Sequence, residues 1–450
     1  MDNKVSRVAT FPPPPDARVK GHSPLGTYRP GELKGIVRIN QDKCVGCDTC
    51  KGHCPADAIK GGLGVAHSVD IMRCINCGQC LVNCPFGAIE QMSFVDEVAK
   101  KLSDPEVTVV ALIAPAVRVA IAEEFGAPPG TLTVGRLHNA LKKLGFKIYE
   151  TNLAADQTIM EEGFEFIAKV RYWLLGERDE ELKEIAHHPL PHFTSCCPGW
   201  IRYAEIYYPQ LLPHISGAKS PQQMAGASAK TWAALNIWNV DPRKVYTVGI
   251  MPCTAKIFEA SRPEFKSAWE FLKEKGSIPE DTPPFPDVDA VLTTRDLATL
   301  FKMKGINPLE LPEKEKEEEP GEIYTGAATI FGNSGGVMEA ALRTTYYVLS
   351  GKKPPNWNIY GVRGHTTGLK EMEIPIPLKS GETIRIRVAV VNGIKNHLDK
   401  IVEDVIKGTS PYHFIEVMNC PGGCINGGGQ PINPMGTSWI DPLLPLRLKA

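Results

Sequence analysis

The chain has 450 residues, 43% of them hydrophobic, enough for two or three domains with sizeable cores. Its 50 basic and 51 acidic residues nearly cancel, which excludes nucleic acid or an anionic membrane as the main partner, and no run of about eighteen apolar residues offers a membrane span. Thirteen cysteines, in a chain whose first residues lack the apolar core of a secretory signal, point to metal or redox chemistry rather than a disulfide framework.

Residues 1–34 are rich in proline and glycine ("FPPPPDARVKGHSPLGTYRPGE") and are expected to form an extended arm against another surface, or a linker. Residues 35–100 hold eight cysteines in two similar blocks, an internal duplication. The first, "CVGCDTCKGHCP", sets Cys44, Cys47, Cys50 and Cys54 before Pro55, and the second, "CINCGQCLVNCP", sets Cys74, Cys77, Cys80 and Cys84 before Pro85. Both follow C-x2-C-x2-C-x3-C-P, the spacing of two-cluster ferredoxins, in which three close cysteines hold one 4Fe–4S cubane and the fourth crosses to the other. Cluster one is therefore expected on Cys44, Cys47, Cys50 and Cys84, and cluster two on Cys74, Cys77, Cys80 and Cys54. Zinc sites or unliganded core cysteines are the alternatives, although zinc favours longer gaps between its C-x2-C units. His53 is given no role, because four thiolates already complete each cubane.

From about residue 105 strand and helix signals alternate. "VTVVALIAP", "KVYTVGIMPC", "VDAVLTT" and "TIRIRVAVVNG" are short apolar, β-branched runs that predict buried strands. "TVGRLHNALKKLGF", "SPQQMAGASAKTWAALN" and "IKNHLDKIVEDVIKG" predict helices between them. The expected architecture is an α+β ferredoxin-like two-cluster domain over 35–100, then an α/β domain over 105–435 with mainly parallel sheets in two lobes and ligands at strand C-terminal ends, and a short tail, 436–450. The charged run at 311–322, "LPEKEKEEEPGE", reads as a solvated loop, and His187 and His188 as surface or loop residues.

Subtracting eight cysteines leaves five: the adjacent Cys196 and Cys197 in "FTSCCPGW", Cys253 in "MPCTAK", and Cys420 and Cys424 in "VMNCPGGCINGGGQP". A disulfide between neighbours is disfavoured, since their Cα atoms sit about 3.8 Å apart and a relaxed disulfide wants roughly 4.4–6.8 Å. Consecutive side chains also tend to point apart, so the pair is expected to divide two jobs. Cys253 and Cys420 each follow a strand-like run, at the crevice where α/β domains build sites. Four of the five could hold a third cubane; isolated cysteines are otherwise commonly buried hydrophobes. The glycines of "PGGCINGGGQP" let backbone donors approach a bulky anion, and no G-K-S/T follows to make a nucleotide loop.

These three segments resemble the cluster-binding signatures of the iron-iron (FeFe) hydrogenases. The resemblance runs from about Ile36 to Pro431 and is closest to the large-subunit type with two ferredoxin clusters. It implies that Cys197, Cys253, Cys420 and Cys424 ligate the cubane of an H-cluster, with Cys424 bridging to a two-iron subcluster that carries CO, CN⁻ and an amine-containing dithiolate. It gives Cys196 the proton. Relay residues toward solvent would be Glu162 and Glu165, spaced i, i+3 in "TIMEEGFEF", with Ser216 between them, and Glu259 could extend the route. Without the resemblance such glutamates would be an ordinary solvated helix face. A thiol, with pKa near 8.5, suits proton exchange near neutrality. By the same resemblance Lys256 matches the residue that hydrogen-bonds one cyanide, and Ala114 and Pro115 match residues that contact the other. Ser220 and Gln222 line the same cavity, Met251 and Met418 bring thioethers close, and Phe331 packs over the site; the two methionines would otherwise read as core gap-fillers.

The implied function is reversible oxidation of H2 to protons and electrons, the electrons passing to a ferredoxin or cytochrome. A hydrogen sensor or a non-catalytic iron–sulfur scaffold of the same fold are the alternatives. Sensory relatives typically lack the proton-carrying cysteine, and scaffold relatives lose much of the pocket; here Cys196, Lys256, Pro115 and Met418 all remain. The sequence stops soon after "GGGQP", where single-chain relatives continue into a wrapping helical tail, so a separate small subunit is expected. Maturation proteins would build the two-iron subcluster. A cytoplasmic location is expected, or a periplasmic one if the small subunit carries an export signal.

Overall fold

The computed structural model describes residues 35–186, 188–313, 320–356, 362–363, 368–395, 397–432 and 444–450. The expected arm, His187, residues 314–319 of the charged run and residues 436–443 of the tail lie outside them. Strands β1 (Val37–Ile39), β2 (Ile59–Lys60), β3 (Ser68–Val69) and β4 (Ile89–Gln91) form two antiparallel pairs, β1 with β4 and β2 with β3. Within each cysteine block a short helix follows, Thr49–His53 and Gln79–Val82. The duplication extends to backbone angles: Gly46 and Asp48 have φ of 70° and 60°, and Asn76 and Gly78 have 58° and 71°. Those turns bend both loops around a centre, and main-chain N–H groups follow: Ala58 donates to Cys54 Sγ at 3.2 Å and Ala88 to Cys84 Sγ at 3.4 Å.

Eight further strands follow among the described residues: β5 (Thr108–Ile113), β6 (Lys147–Glu150), β7 (His192–Phe193), β8 (Val245–Met251), β9 (Ala290–Thr293), β10 (Gly368–Pro377), β11 (Thr383–Asn392) and β12 (Phe414–Met418). One sheet has the order β6-β5-β8-β9 and is parallel throughout. Every residue of β8 is buried, as a parallel strand covered on both faces requires. The second sheet has the order β10-β11-β12-β7, with β11, β12 and β7 parallel. Its outer pair is a hairpin, β10 running antiparallel to β11, a departure from all-parallel pairing.

Of the predicted helices, "SPQQMAGASAKTWAALN" is helical to its end, α over Pro221–Ser228, widened into a π-turn at Ala229–Ala233, and α again at Ala234–Asn236. "IKNHLDKIVEDVIKG" is helical only over Asp399–Ile406. The helix Thr151–Lys169 starts directly from the end of β6. There the Glu150 carboxylate bridges His138 (2.6 Å) and the Asn152 amide (2.7 Å), pinning the helix start.

Candidate active site

Five parallel strands from the two sheets end around one cavity. After β5 come Ala114 and Pro115; after β6, Thr151; after β7, Cys196 and Cys197; after β8, Cys253 and Lys256; after β12, Cys420 and Cys424, and all of them line it. The expected strand-end crevice is therefore present, built from both lobes. Met251, Met418 and Phe331 line it too, as does Gln222. Ser220 does not: its hydroxyl turns to Glu259 Oε2 at 2.9 Å and borders a neighbouring cavity with Glu259 and Ser216. Ser220 precedes the helix Pro221–Ser228, and it and Gln222 both donate to Glu259 Oε2, Gln222 from the cavity wall.

The cysteines fit a cluster. They stand around a space, and among the described residues no three His, Cys, Asp or Glu side chains close on a single point as ligands of one ion would. Burial pushes the thiols of Cys197, Cys253, Cys420 and Cys424 up, Cys253 and Cys424 to about 12, and repulsion from neighbouring cysteines adds at Cys253, Cys420 and Cys424. Lys256 is the cation that opposes this at Cys197, Cys253 and Cys424. One ammonium cannot hold four buried thiolates; a cationic iron core can. The loop bearing Cys424 is tight: Gly423 has φ 91°, and a Cβ there would meet Ser334 N at 2.5 Å.

On the Cys196 side, Glu162 is 1% exposed and accepts from the Ser195 N–H at 3.3 Å. Burial, then repulsion from Glu165, raises its carboxyl to about 8. Glu165, one turn on, accepts from the Ser216 hydroxyl at 2.7 Å and the Gly217 N–H at 3.0 Å. Two buried side chains the sequence did not flag complete this cluster. Lys169 Nζ lies 3.1 Å from Glu165 and 2.9 Å from His192 Nδ1, and His192 stands 3.8–3.9 Å from both glutamates. Burial lowers both bases, His192 well below its usual range. Lys169 was legible in principle, as the i+4 partner of Glu165.

Lys256 donates to Glu259 at 2.9–3.0 Å and to the Cys196 carbonyl at 3.2 Å. Burial would lower its pKa, but the Glu259 pairing outweighs that and holds it raised. Gln222 donates to Glu259 at 3.0 Å, so lysine, glutamate, serine and glutamine form one network at the cavity wall.

In the cysteine-rich half, Cys44, Cys47, Cys50 and Cys84 line one small cavity, bringing the crossing residue to the first block. Cys54 correspondingly acts electrostatically on Cys74, Cys77 and Cys80. His67, absent from the sequence reading, is buried beside Cys44: its N–H donates to Cys44 Sγ at 3.3 Å and its ring pairs with Asp48 at 2.5 Å. Nothing in its surroundings, "GVAHSVD", marks it, because the contact arises only when β3 folds back. Asn419 was also missed.

Comparison with known proteins follows this geometry. Residues 107–428 match the profile of the iron-only hydrogenase large subunit, C-terminal domain, and residues 36–85 match a 4Fe-4S dicluster domain. The chain is 48% identical over 416 residues to the periplasmic Fe hydrogenase large subunit of Nitratidesulfovibrio vulgaris, covering 92% of this chain and 90% of that one. It is 41% identical to iron hydrogenase 1 of Clostridium pasteurianum, covering 79% of this chain and 55% of the other. The cytosolic iron-sulfur assembly component 3 of Bos taurus is 32% identical over 73% of this chain and 63% of its own. Among solved structures, an FeFe-hydrogenase from Chlamydomonas reinhardtii superposes with a TM-score of 0.63 at 35% identity, over 79% of this chain and 88% of that one.

Proposed function

The chain belongs to the iron-only hydrogenase large-subunit family, and on that premise we propose that it interconverts H2 with two protons and two electrons at the cavity where both sheets end. It is an iron-iron hydrogenase, an oxidoreductase with two 4Fe–4S clusters and an H-cluster. The ligand set we propose is Cys197, Cys253, Cys420 and Cys424 for the H-cluster, Cys44, Cys47, Cys50 and Cys84 for cluster one, and Cys74, Cys77, Cys80 and Cys54 for cluster two. When bound, the H-cluster supplies the iron centre at which H2 is split or formed.

The protein's own part is to separate protons from electrons. Cys196 Sγ, in the cavity wall and unassigned as a ligand, exchanges a proton with the site. Glu162 takes it on, its raised pKa making it a proton carrier near neutral pH. Glu165 and Ser216 pass it toward solvent, with Lys169 and His192 holding the two carboxylates apart. Lys256, oriented by Glu259, presents a cation to anionic ligands of the cofactor, and Phe331, Met251, Met418, Ala114 and Pro115 keep water out. Electrons leave through the cysteine-rich half. Cys77 lies close enough to Cys420 to act on it electrostatically, and Cys47 is exposed, where an external ferredoxin or cytochrome can meet it.

The observation that carries this reading is that the five cysteines outside the ferredoxin blocks, from three distant stretches, all border one cavity. The match to an iron–sulfur assembly component supports a scaffold reading less well, given Cys196, Lys256 and Met418 in the cavity wall. No helix among the described residues is long and apolar enough to cross a membrane. The periplasmic relative supports a partner small subunit that could carry the chain across one. The test is infrared spectroscopy of the matured protein in the CO/CN⁻ stretching region, with H2 turnover measured on the same sample. Bands without turnover would favour a sensor, and neither bands nor turnover a scaffold.

A further inference from the structure

His192 is a fully buried imidazole with one ring nitrogen engaged and the other without a partner. It sits on β7, where its main-chain N–H donates to the His413 carbonyl at 2.9 Å, and its ring lies beside those of Phe166 and Phe414, with centroids 5.9 and 5.2 Å away. Its Nδ1 lies 2.9 Å from the Nζ of Lys169, which is itself paired with Glu165 at 3.1 Å. An ammonium has no lone pair to offer, so Nδ1 accepts, and the proton of the neutral ring is fixed on Nε2. Burial first, then the charge of Lys169, keeps the ring neutral. Nε2 is buried with no hydrogen-bond partner among the described residues. It faces Glu162 Oε1 at 3.9 Å, about 1 Å beyond an ordinary N–H···O bond. Buried donors rarely stay unmatched, and contacts along a proton route commonly tighten only when the charge they serve appears. A carboxylate at Glu162 is such a charge, and a stronger acceptor than the protonated carboxyl.

We infer that His192 is a positioning residue for the proton route: with its tautomer set by Lys169, its Nε2–H is the donor that receives the carboxylate Glu162 leaves behind when its proton moves on. The inference rests on the route proposed above and adds to it a residue outside the cavity lining. Burial and Glu165 both favour the neutral form of Glu162, so a donor reserved for the charged form is what lets the proton go. The other titratable groups that act on Glu162 are Glu165 and Lys169 on its own helix, Glu416 on β12 and Cys196 after β7, and His214 lies within electrostatic reach of Lys169. All are retained in the variants below, so a change at Glu162 reports His192.

The test is the pH midpoint of the protonated-carboxyl infrared band of Glu162, assigned by its absence from Glu162→Gln, in matured full-length protein carrying His192→Phe or His192→Gln. Removing the donor should raise the midpoint in His192→Phe by at least about one pH unit, tenfold in the protonation equilibrium. His192→Gln, whose amide N–H can reach the same carboxylate, should raise it less. Packing alone would rank the variants the other way, since phenylalanine suits a place beside two phenylalanine rings better than a polar amide does. NMR of isotope-labelled histidine in the wild type, with the His192 signal identified by its loss in His192→Gln, should show the proton on Nε2, and it carries the test if His192→Phe does not fold. An unchanged midpoint in His192→Phe, a midpoint in His192→Gln at or above that of His192→Phe, or a proton on Nδ1 would overturn the inference. Failure of the route itself reads differently: Glu162→Gln would turn over H2 normally while the band still moved in His192→Phe.

Discussion

The Ser216 hydroxyl donates to Glu165 at 2.7 Å, joining two residues 51 positions apart. The contact exists because Ser216 N–H also donates to the Phe193 carbonyl of β7 at 2.8 Å, which fixes the segment against the strand that delivers Cys196. Ser216 thus stands between the second glutamate and the neighbouring cavity that it helps to line. Ser216→Ala should slow turnover at least about tenfold, and Cys196→Ser by about 10²–10⁴, the range for a lost proton-transfer group. Both should retain the CO/CN⁻ infrared bands. Normal turnover in Cys196→Ser would take that thiol off the route.

Glu162 gives a pH signature with a definite sign. Its carboxyl is raised to about 8 in the folded protein, by burial first and Glu165 second, with Ser195 N–H and Lys169 opposing and Glu416 adding to the rise; His192 faces it at 3.9 Å. A raised carboxyl stabilises the fold fully below the ordinary glutamate pKa near 4.3, and that contribution is lost as pH climbs through about 8, at up to about 1.4 kcal/mol per pH unit. Unfolding should therefore become easier across this window in wild type and less so in Glu162→Gln. A protonated-carboxyl infrared band should vanish through about pH 8 and be missing from the variant. A band that persists unchanged in Glu162→Gln would assign the proton elsewhere.

The ferredoxin blocks and the five remaining cysteines were legible because ligand spacing and strand-end position are local properties of sequence. β5, β8, β9 and β11 were legible for the same reason, as buried β-branched runs. What escaped were contacts made only by tertiary closure. β10 alternates exposed with half-buried residues along most of its length and carries two prolines, so it has no continuous apolar run, and its place as an edge hairpin depends on β11. His67 and His192 are single polar residues whose ring partners, Asp48 and Lys169, lie at least nineteen positions away in the sequence. Ser220 was expected in the wall of the cavity beside Gln222, but its hydroxyl donates to Glu259 instead.

Crossed ligation predicts an effect opposite to sequence proximity. Cys84 belongs to the second block but lines the cavity of Cys44, Cys47 and Cys50. Cys84→Ser should therefore shift or abolish the EPR signal of cluster one, near the exposed Cys47, and leave cluster two assembled. Loss of cluster two with cluster one intact would mean that each block ligates its own cubane.

Lys256 and Glu259 are a buried pair, and removing one leaves the other charged and unmatched. Glu259→Ala should cost about 3–5 kcal/mol, as for other broken buried pairs, and should lower both thermal stability and retention of the two-iron subcluster. Glu259→Gln keeps the shape and an acceptor for Ser220 or Lys256, so its loss should be smaller. Equal losses in the two variants would argue for packing instead of charge.

Gly428 controls how closely the two halves meet. A Cβ at this position would lie 2.1 Å from the Cys77 carbonyl oxygen and 2.6 Å from Gly78 Cα, both backbone atoms that cannot swing aside. Gly428→Ala must therefore push the Cys77 loop away from the loop that carries Cys424, at the cost of about 1–3 kcal/mol or more usual for overpacking. The cavity and its cysteines keep their own contacts, so infrared bands should stay normal. Electron passage should not: rapid-freeze EPR after H2 addition should find cluster two reduced far more slowly than in wild type. Gly52→Ala is the control, since nothing lies within 4 Å of its added Cβ. If both variants reduce cluster two equally fast, the close approach at Gly428 is not what carries the electron across.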